Sequence, residues 1–457
     1  MWNNRNNYLN LIKKFYFNKD IKIIIGPRRI GKSFLMTKIK EQMLITNSIN
    51  EENILELNFN KKDILKSYTW EKLIKNELQR CKDKKENFVL FIDEVQELKN
   101  FEDALISLQA YIDEGKINLD IYVTGSNNKK LSSKISSNFT GRHNDFILYP
   151  YDFHELLEFY SYIFNNIKIS NNYEKSLFLY SYFGGFGKII FEIEKNKDIF
   201  QRWFLDDNWF NSPQRIEIVE IFGLIWKQIL NDILKKDIFI KIKNLNSFLK
   251  VFDYVFDNIG KELSSTKIVE YFKSNLKISI SHLTIEEWID KLKDTGIINE
   301  VNFWDIKGKR ILKTSPKYYC CDLGLLSFKN NYKFINTGFF LENLVYINLI
   351  NKFKKDNIYT YYSNINNTII DVDFLITNKN GLIFIEVSEN LTTKDFNENS
   401  NYEKKIKNMQ CIKNFYKKII ITKYFNSNPK FESFVDLNGI MIVSLYEWLY
   451  GNIEQFL

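Results

Sequence analysis

Cysteine is scarce: Cys81, Cys320, Cys321 and Cys411 are the only four in 457 residues, and none falls in a C-x-x-C spacing. With only His143, His154 and His282 to join them, neither a zinc cluster nor a disulfide framework is supported, and reduced thiols are expected. Long apolar runs are also missing. The densest, Ile21 to Ile25, Phe88 to Ile92 and Lys418 to Ile421, are strand-sized, far short of the roughly 20 residues that cross a bilayer, so no membrane span is expected. The start, Met1-Trp2-Asn3-Asn4-Arg5-Asn6, has no apolar core or small-residue cleavage site, which makes the cytoplasm the expected location. Glycine and proline number only 17 and 5. That scarcity, beside abundant Asn, Ile, Lys, Tyr and Phe, reads as biased codon supply, so the 16% aromatic content is not evidence for base stacking.

What is present is ordinary for a globular chain: 45% hydrophobic and 26% charged residues. The length predicts about three folded units. Lys plus Arg exceed Asp plus Glu by 64 to 56, a net +8 that suits a polyanionic partner but is too diffuse to identify one.

The first third alternates short β-branched runs with longer helical patterns, the layout of a parallel sheet covered on both faces. Its expected strands are Lys22 to Ile25, Asn53 to Phe59, Phe88 to Ile92 and Ile121 to Thr124, with Phe146 to Tyr149 closing the unit before Pro150. Residues 151–254 turn to aromatic-rich helical periodicity, interrupted at Gly184-Gly185-Phe186-Gly187, and predict a helical lid. Across 255–325, a helix through Phe272 capped at Leu263-Ser264-Ser265, a second helix over Thr284 to Lys293, and strand-like Ile297 to Trp304 and Arg310 to Thr314 predict a winged helix. Residues 326–457 again mix strands and helices.

Gly26-Pro27-Arg28-Arg29-Ile30-Gly31-Lys32-Ser33 fits G-x-x-x-x-G-K-[ST] between an apolar strand and a helical run beginning at Phe34. In such a loop, glycines let successive N–H groups turn toward phosphate oxygens, and the following helix adds its positive end. Lys32 is expected on the β- and γ-phosphates of ATP and Ser33 on Mg²⁺. The strand Phe88-Val89-Leu90-Phe91-Ile92 ends in Asp93-Glu94. Asp93 is suited to Mg²⁺ and Glu94 to polarising the water that attacks the γ-phosphate. Thr124, Ser126 and Asn127, after the next strand, compete for a role near the γ-phosphate, with a plain turn as the alternative. Arg142 is a candidate for stabilising phosphoryl charge, in the same subunit or a neighbouring one; the alternative is a surface arginine paired with Asp145 or with solvent.

Together these residues resemble prokaryotic AAA-type ATPases with a loop of the form G-P-R-R-x-G-K-[ST] and a C-terminal DUF4143 domain. The similarity runs on through Phe91 to Gln96, Thr124-Gly125-Ser126, Gly141-Arg142, Tyr149 to Leu156, Tyr182 to Phe186, Tyr318 to Leu325 and Glu342 to Val345. The resemblance implies an α/β fold: an AAA-like P-loop core over 1–150, then the lid and the winged helix, and a restriction-endonuclease-like α/β domain over 326–457.

A nuclease of that last fold needs metal-binding carboxylates and a lysine two residues after the second acid. Asp373 and Glu386 fit the acids, and Glu342 could complete a second metal site, but position 388 is Ser, so Lys404 or Lys405 would have to fill the gap in space. The expected function is Mg²⁺-dependent ATP hydrolysis that moves the attached domains, with DNA as the favoured partner. The alternatives are a slow nucleotide-gated switch that binds proteins and an ATP-licensed nuclease, and a homo-oligomer is compatible with all three.

Overall fold

The computed structural model describes residues 5–457 apart from 82–85, 126–140, 165–172, 207, 209–210, 240–241, 307, 313–314, 333–337, 366–367, 393–400, 414 and 452. Five strands of the first third, β1 (Ile21–Ile25), β2 (Ile54–Asn58), β3 (Phe88–Asp93), β4 (Leu119–Gly125) and β5 (His143–Ile147), pair in the order β2-β3-β4-β1-β5, all parallel. Every residue of β1, β3 and β4 is buried, whereas the edge strands β2 and β5 are only partly so. Interior strands of a parallel sheet are covered on both faces, which is why their sequences are nearly continuous apolar runs. Lys22 and Asp120 break those runs and form a fully buried ion pair.

The expected lid is helical: Phe153–Ile163, Tyr173–Phe183, Gly187–Lys195, Lys197–Leu205 and Pro213–Ile233, the last continuing into a π-helical turn over Leu234–Ile238. Helices Leu245–Asp257, Ser265–Asn275 and His282–Asp294 follow, with β6 (Ile298–Val301) antiparallel to β9 (Lys317–Cys320) and a short pair β7 (Trp304–Asp305) and β8 (Arg310–Ile311) between them. In the C-terminal part, β10 (Ile358–Ile365), β11 (Thr368–Asn378), β12 (Gly381–Leu391), β13 (Lys417–Phe425), β14 (Phe434–Val435) and β15 (Met441–Ser444) order as β10-β11-β12-β13-β15-β14. The expected hairpin is there as β11 and β12, turning at Asn378 to Gly381. β12, β13 and β15 run parallel, with helix Asn401–Gln410 between β12 and β13 in the chain.

The expected boundary at 254/255 falls inside helix Leu245–Asp257, and that at 325/326 inside helix Leu323–Lys329. Hydrophobic periodicity continues through both helices, so no composition shift marks either point. The interior is also shared: one apolar cluster runs from Leu9 to Phe456, and the Phe153 ring meets Tyr450 edge-on at 5.1 Å between centroids. Asp322 fastens two of the motifs together. Its carboxylate accepts the Gly185 N–H at 2.6 Å and the Leu325 N–H at 2.9 Å, capping helix Leu323–Lys329. Among the described residues no helix is long and apolar enough to cross a membrane.

Candidate nucleotide site

The strands place their carboxyl ends along one edge, where ligands of open parallel sheets bind. The loop after β1 leads into helix Lys32–Ile45, whose first N–H groups have no helical acceptor and face the loop. A Cβ on Gly26 would stand 2.5 Å from the Leu148 carbonyl oxygen, so the loop can leave β1 only through glycine. Lys32 Nζ donates to the Gly26 and Pro27 carbonyls at 2.9 and 3.0 Å, curling the loop around its own ammonium. Burial lowers the Lys32 pKa from its ordinary value, against the raising pull of Glu94.

Ser33 Oγ donates to Asp93 Oδ2 at 2.7 Å, and Asn58 Nδ2, at the end of β2, donates to the same oxygen at 3.0 Å. Thr124 Oγ1 donates to Asp93 Oδ1 at 2.5 Å and accepts the Glu94 N–H at 3.0 Å. Thr124 is wholly buried in this role, so it orients the two acids rather than meeting the γ-phosphate. Glu94 takes a left-handed backbone, φ 56°, which turns its side chain off the strand line. Its Oε2 receives Gln96 Nε2 and lies 3.4 Å from Arg28 Nη1.

Two further contacts come from outside the sheet. Arg28 Nε donates to both carboxylate oxygens of Asp237 at 2.9 Å, and Arg29 pairs with Asp232 at 2.6 Å. Burial raises the Asp237 carboxyl above its ordinary range, opposed by Arg28. The Lys188 N–H donates to the Arg29 carbonyl at 3.1 Å, and a Cβ on Gly187 would lie 2.7 Å from the Ile30 carbonyl oxygen, so the start of helix Gly187–Lys195 rests directly on the loop.

A cavity of about 520 Å³ opens over these groups. Arg28, Arg29, Gly31, Lys32, Ser33, Phe34 and Glu94 line it, joined by Tyr151, Ile190 and Phe191 on an apolar side. Gly26, Pro27 and Ile30 are buried within the loop: the first two hold Lys32 through their carbonyls, and the Ile30 side chain belongs to the core. The Ser33 hydroxyl and Asp93 carboxylate, 2.7 Å apart, are hard oxygen donors that fit Mg²⁺, which commonly takes one or two protein ligands and completes its shell with phosphate and water.

Arg142 requires a correction. It precedes β5, its carbonyl accepts the Ile21 N–H at the opposite end of β1, and its guanidinium pairs with Asp113 at 3.0 Å. A β1 of five residues separates it from the loop, so it does not reach the site within its own chain. Ser126 and Asn127 lie outside the described residues.

The C-terminal acids also depart from expectation. Glu342, Asp373 and Glu386 do line one cavity, of about 780 Å³, together with Lys405. Lys317 Nζ, however, sits 3.1 Å from Glu342 and 3.4 Å from Asp373, while Lys405 Nζ pairs with Glu386 at 2.5 Å. Two ammonium groups thus provide the positive charge that a cation would bring, and among the described residues no group of three or more His, Cys, Asp or Glu is set to hold a metal. Burial, with repulsion from Asp373, raises both Glu342 and Glu386. Lys405 does occupy the place left by Ser388, but Lys317, Asp237, Asp232 and Asn58 were not found by motif reasoning. An acid pair five residues apart at the end of a mainly apolar helix, opposite two adjacent loop arginines, was the available signal.

Residues 213–333 match the family model described as a domain of unknown function, DUF8612, which covers the expected winged helix and ends near the start of the region, 326–457, where the DUF4143 resemblance falls. An uncharacterized protein of Haemophilus influenzae is 26% identical over 451 residues, 97% of this chain and 98% of its own. Another, from Methanocaldococcus jannaschii, is 28% identical over 398 residues, 85% of this chain and 79% of its own. Among solved structures, a Walker-type ATPase of Pyrococcus abyssi superposes with a TM-score of 0.49 at 14% identity, covering 72% of this chain and 95% of that one. Residues 18–157 match the family model described as an AAA domain.

Proposed function

We propose that the protein binds ATP with Mg²⁺ in the cavity over residues 26–34 and hydrolyses it. The observation that carries this reading is the meeting of Lys32, Ser33, Asp93 and Glu94 at one edge of the sheet, through the 2.7 Å contact of Ser33 with Asp93 and the shared hydroxyl of Thr124. Lys32 and the loop N–H groups hold the β- and γ-phosphates. Ser33 and Asp93 would hold Mg²⁺, which would supply charge neutralisation at the phosphates. Tyr151, Ile190 and Phe191 offer the base an apolar wall. Glu94 orients the water and takes its proton. The water oxygen bonds to the γ-phosphorus as the bond to the β,γ-bridging oxygen breaks; its electron pair leaves with ADP, and the proton passes on to phosphate.

Double-stranded DNA is the first macromolecule to add to the assay. We read residues 255–325 as a winged helix, and Lys267, Lys273 and Lys277 are exposed there. Glu286, Glu287 and Asp290 are exposed on the second helix, which argues for backbone contact over groove reading. Cleavage of nucleic acid is not part of this reading, because Lys317 already bridges Glu342 and Asp373, two of the three acids that a metal would need.

The test is steady-state ADP release by wild type and Glu94→Gln, with and without DNA, beside equilibrium binding of a fluorescent ATP analogue. Glu94→Gln should keep affinity and lose about a hundredfold or more in kcat. Undiminished turnover removes Glu94 from the reaction, and absence of nucleotide binding by wild type removes the function.

A further inference from the structure

The catalytic glutamate and an aspartate far along the chain compete for one guanidinium. Arg28 Nε meets both oxygens of Asp237 at 2.9 Å, whereas Arg28 Nη1 stands 3.4 Å from Glu94 Oε2, beyond the usual range for an N–H···O bond. The side chains of Arg28, Glu94 and Asp237 are each under a tenth exposed, so water does little to relieve the competition. A guanidinium is a rigid planar fork: the edge given to one carboxylate is withheld from another.

We propose that Asp237 is a positioning residue for ATP hydrolysis, which keeps Arg28 from closing on Glu94 and so leaves Glu94 able to orient water. The proposal rests on the role given to Glu94 above. With the Asp237 charge removed, Arg28 has Glu94 as its remaining acidic partner among the described residues, and a carboxylate closed into a two-point pair with a guanidinium is held immobile and away from water. Turnover then falls while the phosphate contacts of Lys32 and the loop stay in place.

The element that carries Asp237 supports this assignment. Five residues apart on a regular α-helix, Asp232 and Asp237 would point about 140° apart around the axis. The wider π turn at Leu234–Ile238, with hydrogen bonds closing over five residues, brings them round toward the same side, where they meet Arg29 and Arg28 respectively. Such turns are rare and recur at functional sites. Asp237 also lies outside the AAA match at 18–157 and inside the match at 213–333. The second region therefore governs the reaction of the first: displacement of this turn releases Arg28 onto Glu94 and slows hydrolysis without emptying the nucleotide site.

The experiment uses the full chain and measures kcat for ATP with Mg²⁺, affinity for a fluorescent ATP analogue, and melting temperature. Asp237→Asn should lower kcat about tenfold with affinity within about twofold, and Asp237→Glu, which keeps the charge, should hold kcat within about threefold of wild type. Adding Arg28→Gln to Asp237→Asn should raise kcat above that of Asp237→Asn alone, because the trapping cation is gone; independent structural damage would lower it further. Equal losses in the Asn and Glu variants, an unchanged kcat in Asp237→Asn, or a double variant slower than Asp237→Asn each overturns the proposal. A wild type that hydrolyses ATP and depends on Glu94 while any of these occurs sinks this inference alone; a wild type without turnover sinks the function as well.

Discussion

Ser33 Oγ donates to Asp93 Oδ2 at 2.7 Å, although Ser33 follows β1 and Asp93 ends β3, strands separated in the sheet by β4. The helix start and the strand tip thus share one point, where Ser33 and Asp93 would hold a divalent cation. Ser33→Ala removes that hydroxyl while leaving Lys32 and the loop glycines in place. The expected result is a higher Mg²⁺ requirement and a fall in kcat/KM of about tenfold or more, ~1.4 kcal/mol of transition-state stabilisation, read from Mg²⁺ titrations of ATPase rate. A Mg²⁺ dependence identical to wild type would take Ser33 out of the metal shell.

Thr124→Val is nearly isosteric but deletes the hydroxyl that joins Asp93 to the Glu94 N–H. Both groups are buried, and a buried polar group left without its partner costs about 1–3 kcal/mol. Denaturant midpoints should fall accordingly, and kcat should fall more than nucleotide affinity, since the acids lose their orientation while the loop does not. Retained stability with intact kcat would show that Thr124 is dispensable.

Asp322 gives a pH dependence with a definite sign. Burial pushes its carboxyl up to about 7, against the lowering effect of the Gly185 and Leu325 N–H groups, and burial likewise raises Glu155 to about 7 although Arg5 pulls it down. Free carboxyls titrate near about 4. The folded protein therefore holds these protons more tightly than the unfolded chain, and the contribution is fully present below pH about 4 and lost as pH rises through about 7. Urea unfolding of wild type should show stability declining across that window, and Asp322→Asn should flatten the decline. A steeper decline in the variant would contradict the assignment.

The lysines of the C-terminal cavity should prove structural. Lys317→Met leaves Glu342 and Asp373 without their shared cation, a change expected to cost about 3–5 kcal/mol, as for other broken buried ion pairs. Adding Glu342→Gln should restore part of the loss. If Lys317→Met is neutral and the double variant is worse, the cluster does not depend on this pairing.

Local sequence carried the nucleotide loop well, because its chemistry is continuous: an apolar strand, glycines at forced positions and a lysine followed by serine all lie between residues 21 and 33. Asp93 and Glu94 were legible for the same reason, as the abrupt end of a buried strand. Arg142 misled because its position after a candidate loop says nothing about which end of the sheet it reaches, and parallel pairing of β5 with β1 puts it at the far one. Asp237 is hard to assign from sequence because its partner lies 209 residues away and its orientation depends on a π turn, leaving only the spacing of the acid pair as a signal. At the C-terminal acids the residues and the candidate Lys405 were readable but Lys317 was not, since it enters from a strand 56 residues before Asp373.

The ring of Phe153 against Tyr450 bears on how the chain can be handled. A fragment ending near residue 157, where the AAA match stops, would retain Phe153 and Leu156 while losing the surfaces that bury them. Such a piece would be prone to self-association, and an inert fragment would say nothing of the intact machine. Head and tail are sewn into a common fabric, so heating should undo the molecule in a single step rather than shed its segments one after another.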